Sequence, residues 1–178
     1  ERVSVARDEP ALPAGSYVHP VTKNYVTSYY FPYAAGADSL IYLKASYRKR
    51  PAFYLKDKNG EHKIKSRDIS IDEQFSYRNG KIVYAAYEND PRWGWRDYSV
   101  LKVLNIQTGR QQTLTHKTKY FTPDISADGS KVAAVQVRED GKSELHIVNA
   151  QSGELMHAIR SSEISLFTDP KFIDENTL

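Results

Sequence analysis

One unit recurs three times along the 178 residues: a strand pair around a Gly, Asp or Asn turn, a further strand, then a turn ending in Gly and a short polar strand. Its clearest copy is Phe121-Thr-Pro-Asp-Ile-Ser-Ala-Asp-Gly-Ser-Lys-Val-Ala-Ala-Val135, followed by Glu144-Leu-His-Ile-Val-Asn-Ala-Gln-Ser-Gly153. A unit of this size cannot bury its own apolar face, so the fold must come from copies stacked side by side. The turn glycines set the period, 49 residues from Gly60 to Gly109 and 44 from Gly109 to Gly153. That is the range of a four-stranded propeller blade and well above leucine-rich or ankyrin repeats.

The first copy enters on Tyr29-Tyr-Phe-Pro-Tyr33, turns into Asp38-Ser-Leu-Ile-Tyr-Leu-Lys44, and continues through Ala52–Gly60 to a polar strand near Ile64. The second runs through Gln74–Tyr77, a turn at Asn79-Gly80 and Lys81–Tyr87, and after an insertion resumes with Val100–Gly109 and Gln111–Thr115. Asn79-Gly80 and Asp128-Gly129 are the strongest hairpin signals, because a type I′ turn needs positive φ at both central residues. Thr168-Asp-Pro-Lys-Phe-Ile-Asp-Glu-Asn-Thr-Leu178 matches the opening of a fourth unit, with Pro170 where Pro123 stood. The expected fold is therefore all-β, a partial β-propeller of about three four-stranded blades (27–72, 73–120 and 121–167) plus the first strand of a fourth (168–178). Pro10, Pro13, Gly15 and Pro20 mark residues 1–26 as a linker or extended arm. Three blades do not close a ring, so apolar sheet surface is expected at the two open ends, where self-association or further sequence would cover it.

Composition agrees with the strand reading. Thirteen Tyr with Val, Ile and Leu suit a half-buried pleated surface better than a helix. A net charge of +3 and a pI near 8.9 are too mild to demand a nucleic-acid or anionic-membrane partner. Zero Cys excludes disulfides, Cys-ligated zinc, iron–sulfur clusters and thiol catalysis. No apolar run approaches the roughly 18–20 residues that span a bilayer, and no signal-peptide pattern is present in this stretch.

The segment Tyr120–Val135 resembles the short repeat of TolB-like (WD40-like, PD40) β-propellers, with a Pro, a Ser, an Asp-Gly turn and an apolar strand. Asp90-Pro-Arg-Trp-Gly-Trp-Arg-Asp-Tyr-Ser99 ahead of such a repeat is similar to a group of large bacterial envelope proteins. The resemblance implies a propeller accompanying a metallopeptidase-like domain in a periplasmic or outer-membrane-associated protein.

Local chemistry is sparse. Asp124-x-Ser126-x-Asp128-Gly129 opens like a calcium loop, but the twelfth position that needs a bidentate Glu is Val135, so an Asp-anchored hairpin turn is expected. His19, His62, His116, His146 and His157 are scattered, and none sits in a His-Glu-x-x-His pattern. Glu144 and His146 share one strand face and read as an exposed outer-strand pair. No Gly-x-Ser-x-Gly elbow exists. Lys44 to Arg67 carries nine Lys/Arg against Asp57 and Glu61. Lysines on edge strands guard against sheet-to-sheet association, and that reading is preferred to a lipid, acidic or nucleic-acid surface. Tyr29, Tyr30, Phe31 and Tyr33 read as inter-sheet packing.

The departure from the repeat is Glu88–Tyr98, inserted between the second and third strands of its blade and holding both Trp residues. Arg92, Trp93, Trp95, Arg96, Asp97 and Tyr98 have the composition of a binding hot spot. The alternative is a plug, with the two Trp filling an inter-blade groove and Arg92 and Arg96 paired to Asp90 and Asp97. The functional expectation is a non-catalytic protein-interaction or substrate-gating module of a larger envelope protein. It needs no cofactor or metal, binds a protein or peptide, and neither binds nucleic acid nor inserts into a membrane. The alternatives are the propeller part of a hydrolase whose catalytic domain lies elsewhere, and a small-ligand or carbohydrate binder.

Overall fold

A computed structural model describes residues 25–163, 166–174 and 177–178. The expected arm over 1–26 lies outside these residues except for Tyr25 and Val26. The described chain forms three four-stranded antiparallel meanders. The first contains β1 (Thr27–Gly36), β2 (Ser39–Ser46), β3 (Lys49–Asp57) and β4 (Gly60–Ser66). The second contains β5 (Phe75–Arg78), β6 (Lys81–Asn89), β7 (Asp97–Asn105) and β8 (Gln111–Thr113). The third contains β9 (Tyr120–Ile125), β10 (Lys131–Val137), β11 (Ser143–Asn149) and β12 (Leu155–Ile159).

The second sheet is sandwiched because its middle strands are apolar on both faces. In β6, Ile82, Tyr84 and Ala86 join Ile41, Leu43 and Phe53 of the first sheet in one core, while Val83 turns the other way. Val83 joins Leu101 and Val103, which meet Ile125, Val132, Ala134 and Val148 of the third sheet. At roughly 25 cal/mol per Å² of buried apolar surface, these two seams are the main source of cohesion. Of the entering aromatics, Phe31 and Tyr33 pack on Phe75 with ring centroids 6.1 and 5.3 Å apart. Tyr29 instead meets Tyr42 within its own sheet at 5.6 Å. First strands contact one another, β1 with β5 and β5 with β9, whereas β12 lies fully exposed at the rim.

A bulge recurs at the entry to the units. Phe31, Thr122 and Asp169 have positive φ, and each precedes a proline: Pro32, Pro123 or Pro170. Proline lacks the ladder donor and is accommodated at a bulge on a sheet-edge strand. The β1–β2 and β9–β10 registers break at these positions. Asp169-Pro170 thus repeats the entry geometry of the third sheet. Past it, the Phe172 N–H donates to the buried Asp124 carboxylate at 2.9 Å, one unit on from the 3.3 Å bond of Ile125 N–H to Ser76 Oγ. Phe172 packs with Ala133, Leu145 and Ile147, so the 166–174 segment covers part of the third sheet's outer face. Leu155, Met156 and Ile159 stay exposed beside it.

The turns hold the seams. Asn79 and Gly80 both have positive φ, as a type I′ turn requires. Asp128-Gly129 differs from expectation: of the pair only Gly129 is at positive φ, and the Gly129 N–H bonds to Ser126 O at 2.9 Å. The four-residue loop spares Asp128 the left-handed region and frees its carboxylate to accept from Ser126 and Ser130, which is the anchored turn anticipated. Asn79 Nδ2 and Lys81 Nζ then donate across the seam to Asp128 O and Gly129 O, each at 2.8 Å.

Two consequences are measurable. Gly109 and Gly153 hold corresponding positive-φ turn positions, but a Cβ on Gly109 meets nothing, whereas one on Gly153 falls 1.9 Å from Leu114 O. Gly109→Ala is expected to cost about 1–2 kcal/mol for the left-handed backbone, and Gly153→Ala about 1–3 kcal/mol beyond that, read from urea midpoints. The Ser126 hydroxyl, with the Ser130 hydroxyl and N–H, holds the Asp128 carboxyl down at about 2. A depressed folded pKa stabilises above the unfolded value near 4 and is lost as pH falls through about 2. Asp128→Asn should therefore flatten the acid limb of stability against pH, by less than about 1 kcal/mol because the group is solvent-screened.

Candidate functional site

Successive turns of a meander alternate between its two ends, so the β2–β3, β6–β7 and β10–β11 turns share one end with the β4–β5 and β8–β9 connections. That end carries exposed apolar side chains: Tyr47, Ile69, Ile71, Trp93 and Trp95. The opposite end carries the latched Asn, Asp and Gly turns.

The 90–96 loop is built by Asp90. Its Oδ1 accepts the N–H groups of Arg92 and Trp93 at 2.8 and 3.2 Å, and its Oδ2 accepts the Tyr98 hydroxyl at 3.1 Å. These donors, the Arg92 N–H foremost, hold the Asp90 carboxyl below its ordinary value. The backbone closes with Asp90 N–H to Arg96 O and Arg96 N–H to Trp93 O. Arg92 lies over the Trp93 ring, 5.6 Å from its centroid. Neither Trp fills an inter-blade groove: Trp93 is 58% exposed and Trp95 100%. Nor do Arg92 and Arg96 take the carboxylates assigned to them by the plug alternative. Asp90 is occupied by its own loop, and the Asp97 carboxylate accepts the Tyr87 hydroxyl.

Asp97 and Tyr98 are strand residues rather than loop residues, since β7 begins at Asp97 opposite Asn89. They form one wall of a groove of about 940 Å³. Trp95, Arg96, Lys117–Lys119 and Gln136–Asp140 line the rest of it. Three segments distant in sequence converge there because Ser99 N–H bonds to Thr118 O and Val137 N–H to Lys119 O. Reading the loop alone missed Lys117, Lys119 and Arg138, and only the blade stacking places them beside it. Arg92 and Trp93 belong to the same loop but not to the groove wall.

The other polar cluster is buried. Glu144 and His146 do share a face, but that face packs into the seam against the second sheet, because β11 is a middle strand. His146 is 7% exposed, not an outer-strand residue. Tyr120 Oη lies 2.8 Å from His146 Nδ1 and Glu144 Oε2 3.1 Å from His146 Nε2. The arrangement is satisfied with Tyr120 donating to Nδ1 and Nε2–H donating to the carboxylate. Glu144 also receives Arg138 and Arg160 at 2.8 and 2.9 Å. The His146 bond, then Arg138, holds its carboxyl at about 2, while burial and the Glu144 charge push Tyr120 to about 12. A tyrosine–histidine–carboxylate chain looks catalytic, yet both imidazole nitrogens are taken by partners within the chain, and the arrangement serves to satisfy the polar groups of the seam. Among the described residues no group of three or more His, Cys, Asp or Glu is placed to hold a metal.

Arg67, the last cation of the basic stretch, is also buried. Its guanidinium donates to the carbonyls of Asp72, Glu73 and Gln74 and shapes the β4–β5 connection. Lys44 pairs with Glu61 at 2.5 Å.

A scan against protein-family models finds no match, and a search of curated proteins finds none. Solved structures do match. A puromycin-hydrolyzing peptidase from Mycobacterium tuberculosis aligns over 75% of this chain with a TM-score of 0.54 and 15% identity. The β-propeller domain of the Trilobed protease from Pyrococcus furiosus aligns over 75% with a TM-score of 0.50 and 14% identity. The chain is a partial β-propeller. A putative TolB from Agrobacterium tumefaciens also aligns, over 66% of this chain and 41% of that one, at a TM-score of 0.47 and 14% identity. At such identities the likeness is one of fold. This propeller chain spans 20% of the peptidase structure and 42% of the Trilobed protease domain. The repeat that resembles the TolB-like type in sequence folds as propeller blades.

The exposure of both Trp residues predicts that Trp93→Ala with Trp95→Ala moves the unfolding free energy by less than about 0.5 kcal/mol. A loss of several kcal/mol on denaturant titration would restore the plug.

Proposed function

We propose that this chain is a non-catalytic recognition or gating module of a larger bacterial envelope protein, and that it engages a protein or peptide through the end carrying Arg92, Trp93, Trp95, Arg96, Asp97 and Tyr98. The observation that carries this is a loop closed on Asp90 that holds a fully exposed Trp. The Asp90 bonds pre-form the turn, which lowers the conformational entropy lost on contact. Trp and Arg are the side chains on which interface energy concentrates. A periplasmic or envelope location accords with the TolB-like repeat. No helix among the described residues is long and apolar enough to cross a membrane.

A second reading is favoured by the neighbours: one is a peptidase and another the propeller domain of a protease. By that reading this chain gates a hydrolase whose catalytic domain lies outside it. Both readings leave bond cleavage to residues beyond this stretch. The purified chain is expected to show no turnover of peptide or ester substrates. Activity that disappears on His146→Ala would overturn the non-catalytic reading. Once a partner is in hand, Trp93→Ala with Trp95→Ala should abolish its binding at unchanged stability. Asp90→Ala, which leaves both rings but frees the loop, should weaken binding by a smaller factor.

A further inference from the structure

We infer that the groove beside Trp95 takes an acidic peptide segment, its carboxylates on Arg96, Lys117 and Lys119 and an apolar side chain on Trp95; this rests on the recognition role of that end and names the chemistry of its partner. Hydrogen-bonding capacity around the groove is unevenly spent. Asp90 is taken by two N–H groups and a hydroxyl, Asp97 by Tyr87, and Asp140 by Arg138 and the Lys142 N–H. Arg138 is committed to Glu144 and Asp140. Among the described residues, the side chains of Arg96, Lys117 and Lys119 form no ion pair and no hydrogen bond, although the Lys117 charge acts on Asp90 from beyond contact distance. Glu139 is the one lining carboxylate left without such a partner. What the groove offers outward is thus cationic donors from two separate segments, held together by the Ser99 to Thr118 and Val137 to Lys119 backbone bonds, with an aromatic face beside them.

A carboxylate-bearing peptide answers both features. Arginine and lysine make charge-assisted bonds to carboxylates, and Trp supplies area for an apolar neighbour. Nucleic acid fits less well: Asp97, Glu139 and Asp140 also line the groove, and a few peptide carboxylates can be spaced away from them whereas the evenly repeated charges of a phosphate backbone cannot.

Both Trp residues of the chain sit on this loop, so intrinsic Trp emission reads the site directly. The chain is titrated with a short capped peptide of Glu and Phe, with the same peptide carrying Lys for every Glu, and with oligothymidylate. The expected result is a change in Trp emission with the Glu/Phe peptide alone. That response should weaken with added salt and fall about tenfold in apparent affinity in the Arg96→Gln, Lys119→Gln variant. Circular dichroism checks that the variant is folded, and neither side chain has a partner to lose. No response to the Glu/Phe peptide, an equal response to the Lys peptide, or a stronger one to oligothymidylate overturns the inference. A protein partner that shifts Trp emission when the Glu/Phe peptide does not would overturn the acidic class and leave the recognition role standing. Partner binding that survives loss of both Trp would overturn the recognition role itself.

Discussion

Everything in this chain depends on a central sheet that must be covered on both faces. β6 buries Ile82, Tyr84 and Ala86 on one side and Val83 on the other, so the second sheet is stable only between two neighbours. The same demand falls on the third sheet, whose second face presents Ala133, Leu145 and Ile147. Phe172 answers it in part and is held there by the Asp124 carboxylate. The stacking rule thus continues past the last complete blade, on the same bulge and nearly the same seam bond that set the third blade against the second.

How much of this was readable in advance follows from where each signal lies. Asn79-Gly80 and the Gly109 and Gly153 turns announce themselves because their backbone angles select the residue type. Asp128-Gly129 marked a turn but not its type, since a loop two residues longer lets Asp128 keep negative φ and use its side chain. His146 was misplaced for a different reason. Alternation told correctly that it shares a face with Glu144 but could not tell that the face is internal, because on a middle strand both faces are. Arg67 misled similarly: its charge suggested a surface, yet three carbonyls of the β4–β5 connection absorb the guanidinium. For the candidate site, the Trp loop was visible as a break in the repeat. The cations on 117–119 and at 138 were not, because their nearness is a product of stacking rather than of sequence spacing.

The two ends of the meanders do different physical work. At one end polar turns bond across the seams, Asn79 and Lys81 to the 128–129 turn and Gln112 to Gln151 O, so their donors and acceptors are consumed in holding blades together. At the other end the 67–74 and 90–96 connections are longer, satisfy much of their own backbone through Arg67, Asp72 and Asp90, and leave Ile69, Ile71, Trp93 and Trp95 outside. Asp72 also accepts the Thr122 N–H across the seam. Internal satisfaction of a loop is what makes exposure of Trp95 tolerable: the backbone needs nothing from the ring.

That division bears on why the Tyr120–His146–Glu144 chain is better understood as structure than as chemistry. A general base must reach a proton on a substrate, and here both imidazole nitrogens of the buried His146 are occupied by Tyr120 and Glu144. Glu144 is shared among His146, Arg138 and Arg160, and Arg138 also borders the groove beside Trp95. Arg138 is therefore a neighbour of both the buried network and the open groove. Its bond to Glu144 removes it from the set of uncommitted cations, so the charge presented outward falls to Arg96, Lys117 and Lys119. The seam's need to satisfy a buried carboxylate thus decides which cations at this end remain for a partner.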